Sequence, residues 1–509
     1  MIPSRLLGDP ELTEVMGQEI MINRTNSKKI SNSFPPVLLT ILVFIISRFI
    51  YYKYFHIRFD ASTLINAWQY IDPYLLKNDL LRSVFYLHSQ PPLYNLFLGI
   101  ILKLFPNPTQ FILVFNVIYL LFGVALAVSL YLILIKLNVS KTLSVLLTSL
   151  FIINPSVVLY ESWLFYAYPI ILLLCLSVLF LLRLLSNDSF RDSFIFFCIL
   201  AMIVLTRSIF HLLWFVLFVL ILLGVKKHRW KRTITACAIP FLIILFIYVK
   251  NFLVFGTFTT GSAFVGQNLA SLVRPIVSKD EISSLIKNDV ISKTFVMPIF
   301  SKVSAYEPYI KTERTGIPTL DEEVKWTGEV NTQHLAYLHI ARQCAKDALY
   351  IIRKHPKSYI AKLIKYYRRY FYPSSYFWTK FKYEGNYGNV EEAIRLYNRF
   401  LYGQFYFPKS KIGFFFLVGI PVLLIYSMYL IIINLSSKNG NIVLGVTILV
   451  MFITIMLVNT ACLLTWEHER FRFMLEPFYL ILLGLLFTEV RSKISRVREA
   501  LVGRNEESE

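Results

Sequence analysis

Apolar residues gather along the chain in long runs, separated by shorter polar connections, from Val37 to Val490. A helix needs about 20 such residues to cross the hydrocarbon of a bilayer. In that medium a helix satisfies every backbone N–H and C=O within one segment. The runs read as roughly ten membrane-crossing helices, at about 35–52, 109–136, 142–158, 168–185, 193–209, 210–225, 233–255, 411–434, 441–464 and 473–490. The expected fold is an all-α polytopic membrane protein. Two further stretches, 61–77 and 91–105, are amphipathic or apolar but too short or too polar to cross, and suit the membrane surface.

Short connections rich in lysine and arginine mark the cytoplasmic side. Lys136 and Lys141, Arg183 and Arg191, the run from Lys226 to Arg232, Lys438, and Arg491 to Arg498 fall on alternate connections and so share a face. Both termini are then expected in the cytoplasm, consistent with Lys28 and Lys29 before the first run. The expected organisation is a cytoplasmic polar tail at 1–34, without a cleavable leader pattern, and an N-terminal membrane module at 35–255 whose first loop (53–108) carries the surface helices. An extracytoplasmic, mainly helical domain follows at 256–405, then C-terminal membrane helices at 406–490 and a cytoplasmic tail at 491–509. Within the loop domain, the basic and aromatic stretch Lys362 to Tyr370 suits a head-group interface, either as a face resting on lipid or as a more specific site.

Composition agrees with lipid as the main solvent. Of 509 residues 56% are hydrophobic and 16% charged, against about 25% charged in an ordinary soluble domain. The net charge of +21 is dispersed in clusters between apolar runs, which favours anionic lipid and phosphate groups as partners over nucleic acid. Four of the five cysteines, Cys175, Cys198, Cys237 and Cys462, lie inside apolar runs, a placement that fits neither a disulfide framework nor a zinc site. No phosphate-binding P-loop or Gly-rich dinucleotide fingerprint is present.

Ionisable groups at the bilayer boundary are costly and tend to be functional, and five places on the outer face stand out. Asp60, flanked by Phe59 and Ala61, suits proton abstraction from an alcohol; it equally suits a helix cap. His88 and Gln90 precede Pro91-Pro92, where a proline-started helix turns its positive end toward an anion. Glu161 is the one acid of a short outer loop, able to hydrogen-bond a sugar hydroxyl or to sit solvated at the interface. Arg207, beside His211, is either a phosphate ligand or half of a buried pair with an acid such as Glu161. The run Trp466-Glu467-His468-Glu469-Arg470-Phe471-Arg472 sets acids and arginines before the last helix. The planar forks of Arg470 and Arg472 suit a phosphate clamp.

Taken in order, the first-loop aspartate, the His88-Ser89-Gln90-Pro91-Pro92-Leu93-Tyr94 motif and the Glu469-Arg470-Phe471-Arg472 run resemble the GT-C glycosyltransferases, in particular the protein O-mannosyltransferase and aminoarabinose-transferase branch. The resemblance covers roughly 35–260 and 411–490. It implies transfer of a sugar from a polyprenyl-phosphate donor to a hydroxyl-bearing acceptor (glycan, lipid or protein) on the non-cytoplasmic face of the plasma membrane, or of the endoplasmic reticulum in a eukaryote. It also implies Asp60 as general base. Arg470, Arg472, Arg207 and His88 are the expected phosphate ligands, and Gln90, Glu161 and Glu469 the expected substrate contacts. No cofactor is expected; a divalent ion shared by Asp60 and Glu161 is the less favoured alternative, since no second acid stands beside Asp60. Rival readings are a transporter or flippase of lipid-linked sugars, a polysaccharide polymerase or ligase, and a purely structural membrane scaffold.

Overall fold

The computed structural model describes residues 34–187, 189–225, 229–310, 312–367, 371–380, 390–401, 415–436 and 468–506. Among them the chain is helical almost throughout, and β-structure is confined to two isolated bridges. In chain order the principal helices are α1 (Phe34–Lys53), α2 (Pro92–Leu104), α3 (Pro108–Lys136), α4 (Lys141–Ile152), α5 (Pro155–Glu161), α6 (Ala167–Asn187), α7 (Phe190–Thr206), α8 (Leu212–Val225) and α9 (Trp230–Phe255). There follow α10 (Phe264–Val273), α11 (Leu335–Lys354), α12 (Pro356–Tyr367), α13 (Val390–Phe400), α14 (Ile420–Ser436), α15 (His468–Phe473) and α16 (Glu476–Glu506).

Four of the described helices, α1, α3, α6 and α9, are long and apolar enough to cross a membrane, and α4 with α5 makes a fifth if the bent pair is one span. Helix α6 is the central one, packed against α3 and α7, and its apolar side chains are mostly buried. By contrast α1 turns Leu38, Leu42, Ile45 and Phe49 outward, and α9 turns out Leu242, Ile243, Phe246 and Leu253. Such outward apolar belts are what lipid contact requires, so the chain is a multi-pass helical membrane protein.

Several boundaries depart from the expected ones, each for a local reason. The run expected as one span at 142–158 is broken into α4 and α5, bent by 61°. Pro155 has no N–H to continue the ladder, and the Asn154 side chain accepts the Ser156 N–H at 2.9 Å to start a new helix. The surface stretch 61–77 is likewise divided, into Thr63–Asn66 and Pro73–Asn78. Asp72 caps the second piece through the Tyr74 N–H at 2.8 Å, and its other oxygen accepts the Trp326 N–H at 2.5 Å. The expected tail at 491–509 continues α16 to Glu506, since neither proline nor glycine occurs between Gly484 and Gly503. Helix α8, at 14 residues, is shorter than a bilayer needs. The expected span at 441–464 lies outside the described residues, as do Trp466, Glu467 and all but the last residue of the 1–34 tail.

Residues 263–351 build a second hydrophobic core around Ala270, Phe295, Tyr337, Ile340 and Ala348. The later part of the 256–405 stretch belongs elsewhere: Phe377, Trp378, Val390 and Ile394 pack into the main membrane core. Helices α10 and α11 meet face to face at Gly266, where an added Cβ would lie 1.8 Å from the Ala341 carbonyl oxygen. Because backbone rather than a flexible side chain is in the way, Gly266→Ala is expected to cost about 1–3 kcal/mol or more by forcing the two helices apart. A fall in the thermal unfolding midpoint of the purified chain measures it.

Candidate active site

Between α5 and α6 the backbone is irregular from Ser162 to Tyr166, and every residue of this strip is buried. Buried peptide groups need partners, and side chains from three distant elements supply them. The Leu164 carbonyl accepts from Thr63 Oγ1 at 2.6 Å and from the Tyr70 hydroxyl at 2.9 Å. The Phe165 carbonyl accepts from the Tyr119 hydroxyl at 2.9 Å. That bond uses the Tyr119 proton, so Tyr94, whose hydroxyl lies 2.6 Å away, is the donor of their pair. Asp60 completes the strip as a bridge: its N–H donates to the Ser162 carbonyl at 2.7 Å, and its carbonyl accepts from the Leu164 N–H at 2.9 Å.

The Asp60 carboxylate is half-buried, with Oδ1 accepting the Ser62 N–H at 2.8 Å. The expected cap of a helix at Ala61 is not formed: the short helix begins at Thr63 with Ser62 at its N-cap position, and Asp60 closes a turn just ahead of it. One carboxylate oxygen makes that bond; the other is in no hydrogen bond among the described residues.

Glu161 is held by a group the sequence reading passed over. Arg48, inside α1, grips it with Nε on Oε1 and Nη2 on Oε2, both at 2.8 Å, and Tyr168 donates to Oε2 at 2.6 Å. Arg48 Nη1 also donates to Ser47 Oγ and to the Ile152 carbonyl. The partner of Glu161 is therefore Arg48 and not Arg207, and its carboxylate is taken up in a buried pair with Arg48 and Tyr168. Gly123 of α3 leaves room for the pair, since an added Cβ there would lie 2.4 Å from Glu161 Oε2. An arginine within an apolar run was the available signal.

The arginines converge on the aromatic rings of the strip. Trp163 stacks on Phe165 at 4.2 Å, and Arg470 lies over Phe165 at 4.8 Å. Arg207, extended at the C-terminal end of α7, lies over Tyr166 at 5.0 Å and over Phe471 at 4.3 Å. Arg470 reaches the same Phe471 ring at 5.6 Å. Arg207 Nη1 is also 3.4 Å from Met474 Sδ. Two cations from distant parts of the chain thus share one ring, and each is 4% exposed. Cation–π contact recovers part of the lost hydration of such groups. Arg472, fully buried, pairs with Glu476 at 3.4 Å, and Glu476 in turn accepts from Asn154 at 3.4 Å, which ties α16 to the break between α4 and α5. Glu469 is buried on α15 beside them. Tyr160, Phe377, Trp378 and Phe473 complete the wall, with Tyr160 stacked on Phe473 at 3.8 Å.

His88 takes a different place. Its Nε2 lies 2.8 Å from the Gln333 carbonyl, which can only accept, so Nε2 carries the proton; Nδ1 lies 2.7 Å from the Ser262 hydroxyl, whose single proton is divided between Nδ1 and the His88 carbonyl at 3.0 Å. Both ring nitrogens are committed to a brace between the first loop and residues 262–333, in which Ser89 also bonds Gln333 and buried Lys325 donates to the Ala67 carbonyl at 2.8 Å. The expected phosphate role for His88 is not kept: burial pushes its pKa down to about 4, leaving a neutral ring with no proton to offer an anion. Gln90 is half-buried, and its amide is in no hydrogen bond among the described residues.

A histidine depressed on folding stabilises the fold above its unfolded value near 6.5, and that contribution is lost as pH falls toward 4. Acidification over this window is expected to weaken the brace by about 3 kcal/mol. Protection factors at 86–90 and 331–334, corrected for the intrinsic slowing of amide exchange in acid, should fall in wild type and change far less in His88→Gln.

No group of three or more histidine, cysteine, aspartate or glutamate side chains suited to a metal gathers among the described residues. No family model, curated protein or solved structure matches the chain.

Proposed function

We propose that this chain is a membrane glycosyltransferase of GT-C type, moving a sugar from a polyprenyl-phosphate donor to a hydroxyl acceptor on the non-cytoplasmic face. The observation that carries the reading is the setting of Arg207 and Arg470 over one ring, Phe471, against an aromatic strip to which Asp60 is paired. Ionisable side chains are costly within a membrane protein, and those facing its interior commonly mark a substrate pathway. A lipid phosphate is an anion that reaches such a place without leaving the bilayer.

In the proposed reaction the acceptor oxygen forms a bond to the anomeric carbon as the bond from that carbon to the phosphate oxygen breaks. The electron pair stays on the phosphate, where Arg470 and Arg207 stabilise the growing charge. The hydroxyl proton passes to Asp60, and displacement from the opposite side inverts the anomeric centre. Arg472 supports α15 through Glu476, and Gln90 and Glu469 remain candidate substrate contacts; Glu161 and His88 serve the scaffold. The ten-span topology with both termini in the cytoplasm belongs to the same proposal.

The test is to reconstitute the full chain in vesicles with radiolabelled polyprenyl-phosphate sugars and hydroxyl-bearing acceptors. Movement of label from the lipid to the acceptor is the expected result. Label that crosses the bilayer with no acceptor modified would replace the reading with a flippase, and Arg470→Met should abolish whichever anion-dependent process is seen.

A further inference from the structure

Helix α12 leaves the second core and presents an unpartnered face. Tyr359 packs back on that core, whereas Ile360 and Ile364, one turn apart, are 55% and 69% exposed. Lys357 and Lys365 flank the two isoleucines and are exposed, as is Arg353 at the end of α11. Lys354 is turned the other way, paired with Glu281 at 2.7 Å, and His355 meets the same carboxylate. The surrounding sequence from Ala348 to Tyr383 contains no acid at all. Ten residues beyond the helix, Phe377 and Trp378 are buried in the membrane body against Tyr160 and Trp163. The apolar and basic face is thus carried on a helix tethered close to the spans, and it is positive over its whole extent.

From this we infer that α12 lies in the head-group layer of an anionic leaflet, Ile360 and Ile364 reaching the acyl boundary and Lys357, Lys365 and Arg353 meeting lipid phosphates. A protein partner fits less well, since the face is narrow and interrupted by lysines. The inference is independent of the proposed catalysis.

The full chain carrying Ile364→Cys, labelled with an environment-sensitive fluorophore, is placed in nanodiscs of phosphatidylcholine alone or with added phosphatidylglycerol. The parent chain labelled in parallel gives the background from its own cysteines. Anionic discs should shift the emission to the blue, lower iodide quenching several-fold and raise quenching by nitroxide-bearing acyl chains. Adding Lys357→Gln and Lys365→Gln, both at exposed positions, should erase the difference between the two lipids. Equal iodide access in both discs overturns the inference, as does shielding that depends on the number of chains per disc and not on lipid charge.

Discussion

On the glycosyl-transfer reading proposed above, exchanging Asp60 for asparagine is expected to lower sugar transfer by about 10²–10⁴-fold, the usual contribution of a positioned general base. The substitution separates the two things Asp60 does. An amide oxygen still accepts the Ser62 N–H, and the backbone bonds to Ser162 and Leu164 do not involve the side chain, so the strip and its rings stay in place. What is lost is the ability to take a proton. Initial rates at saturating donor, with donor affinity measured separately, give a fall in kcat with affinity unchanged. An unchanged rate assigns Asp60 to the turn at Ser62 alone and sends the search for the base elsewhere.

Glu161→Ala is expected to be among the most damaging single changes to stability, at about 3–5 kcal/mol. The cost arises from Arg48, which would keep its charge while buried in α1 with Ser47, the Ile152 carbonyl and the face of Phe44 to meet it, and no carboxylate from position 161. Removing both charges is milder than removing one, so Arg48→Met with Glu161→Gln should unfold at a higher temperature than Glu161→Ala alone. Unfolding in mild detergent, followed by circular dichroism, orders the three proteins. If the single variant unfolds as wild type does, the pair does not hold the strip.

Four of the expected spans, α1, α3, α6 and α9, could be read from the chain because a lipid-facing span needs only local information, an unbroken apolar run of sufficient length. The turn between α4 and α5 was also written locally, as Asn154-Pro155, but the apolar residues on either side masked it. What could not be read was the pairing. Arg48 and Glu161 are separated by 113 positions, and nothing in either neighbourhood names the other; Arg207 was an equally good partner on charge alone. Arg207 and Arg470, expected as joint ligands, do meet at Phe471. The departure of His88 to Gln333 depends on which helices lie side by side, which periodicity does not encode. For the same reason the stretch 256–405 looked like one unit, although its last third carries the buried aromatic rings Phe377 and Trp378 back to the spans.

The partners of the irregular strip also carry a consequence for how the protein is made. Asp60, Thr63, Tyr70 and Tyr119, which bond its backbone, all precede the strip in the chain, so these partners are already synthesised when the strip is made. Arg470 and Arg472 are translated some 300 residues later. A message cut short before codon 468 therefore yields a product that keeps these backbone partners but lacks the Phe471 and Phe473 rings together with two of the three cations.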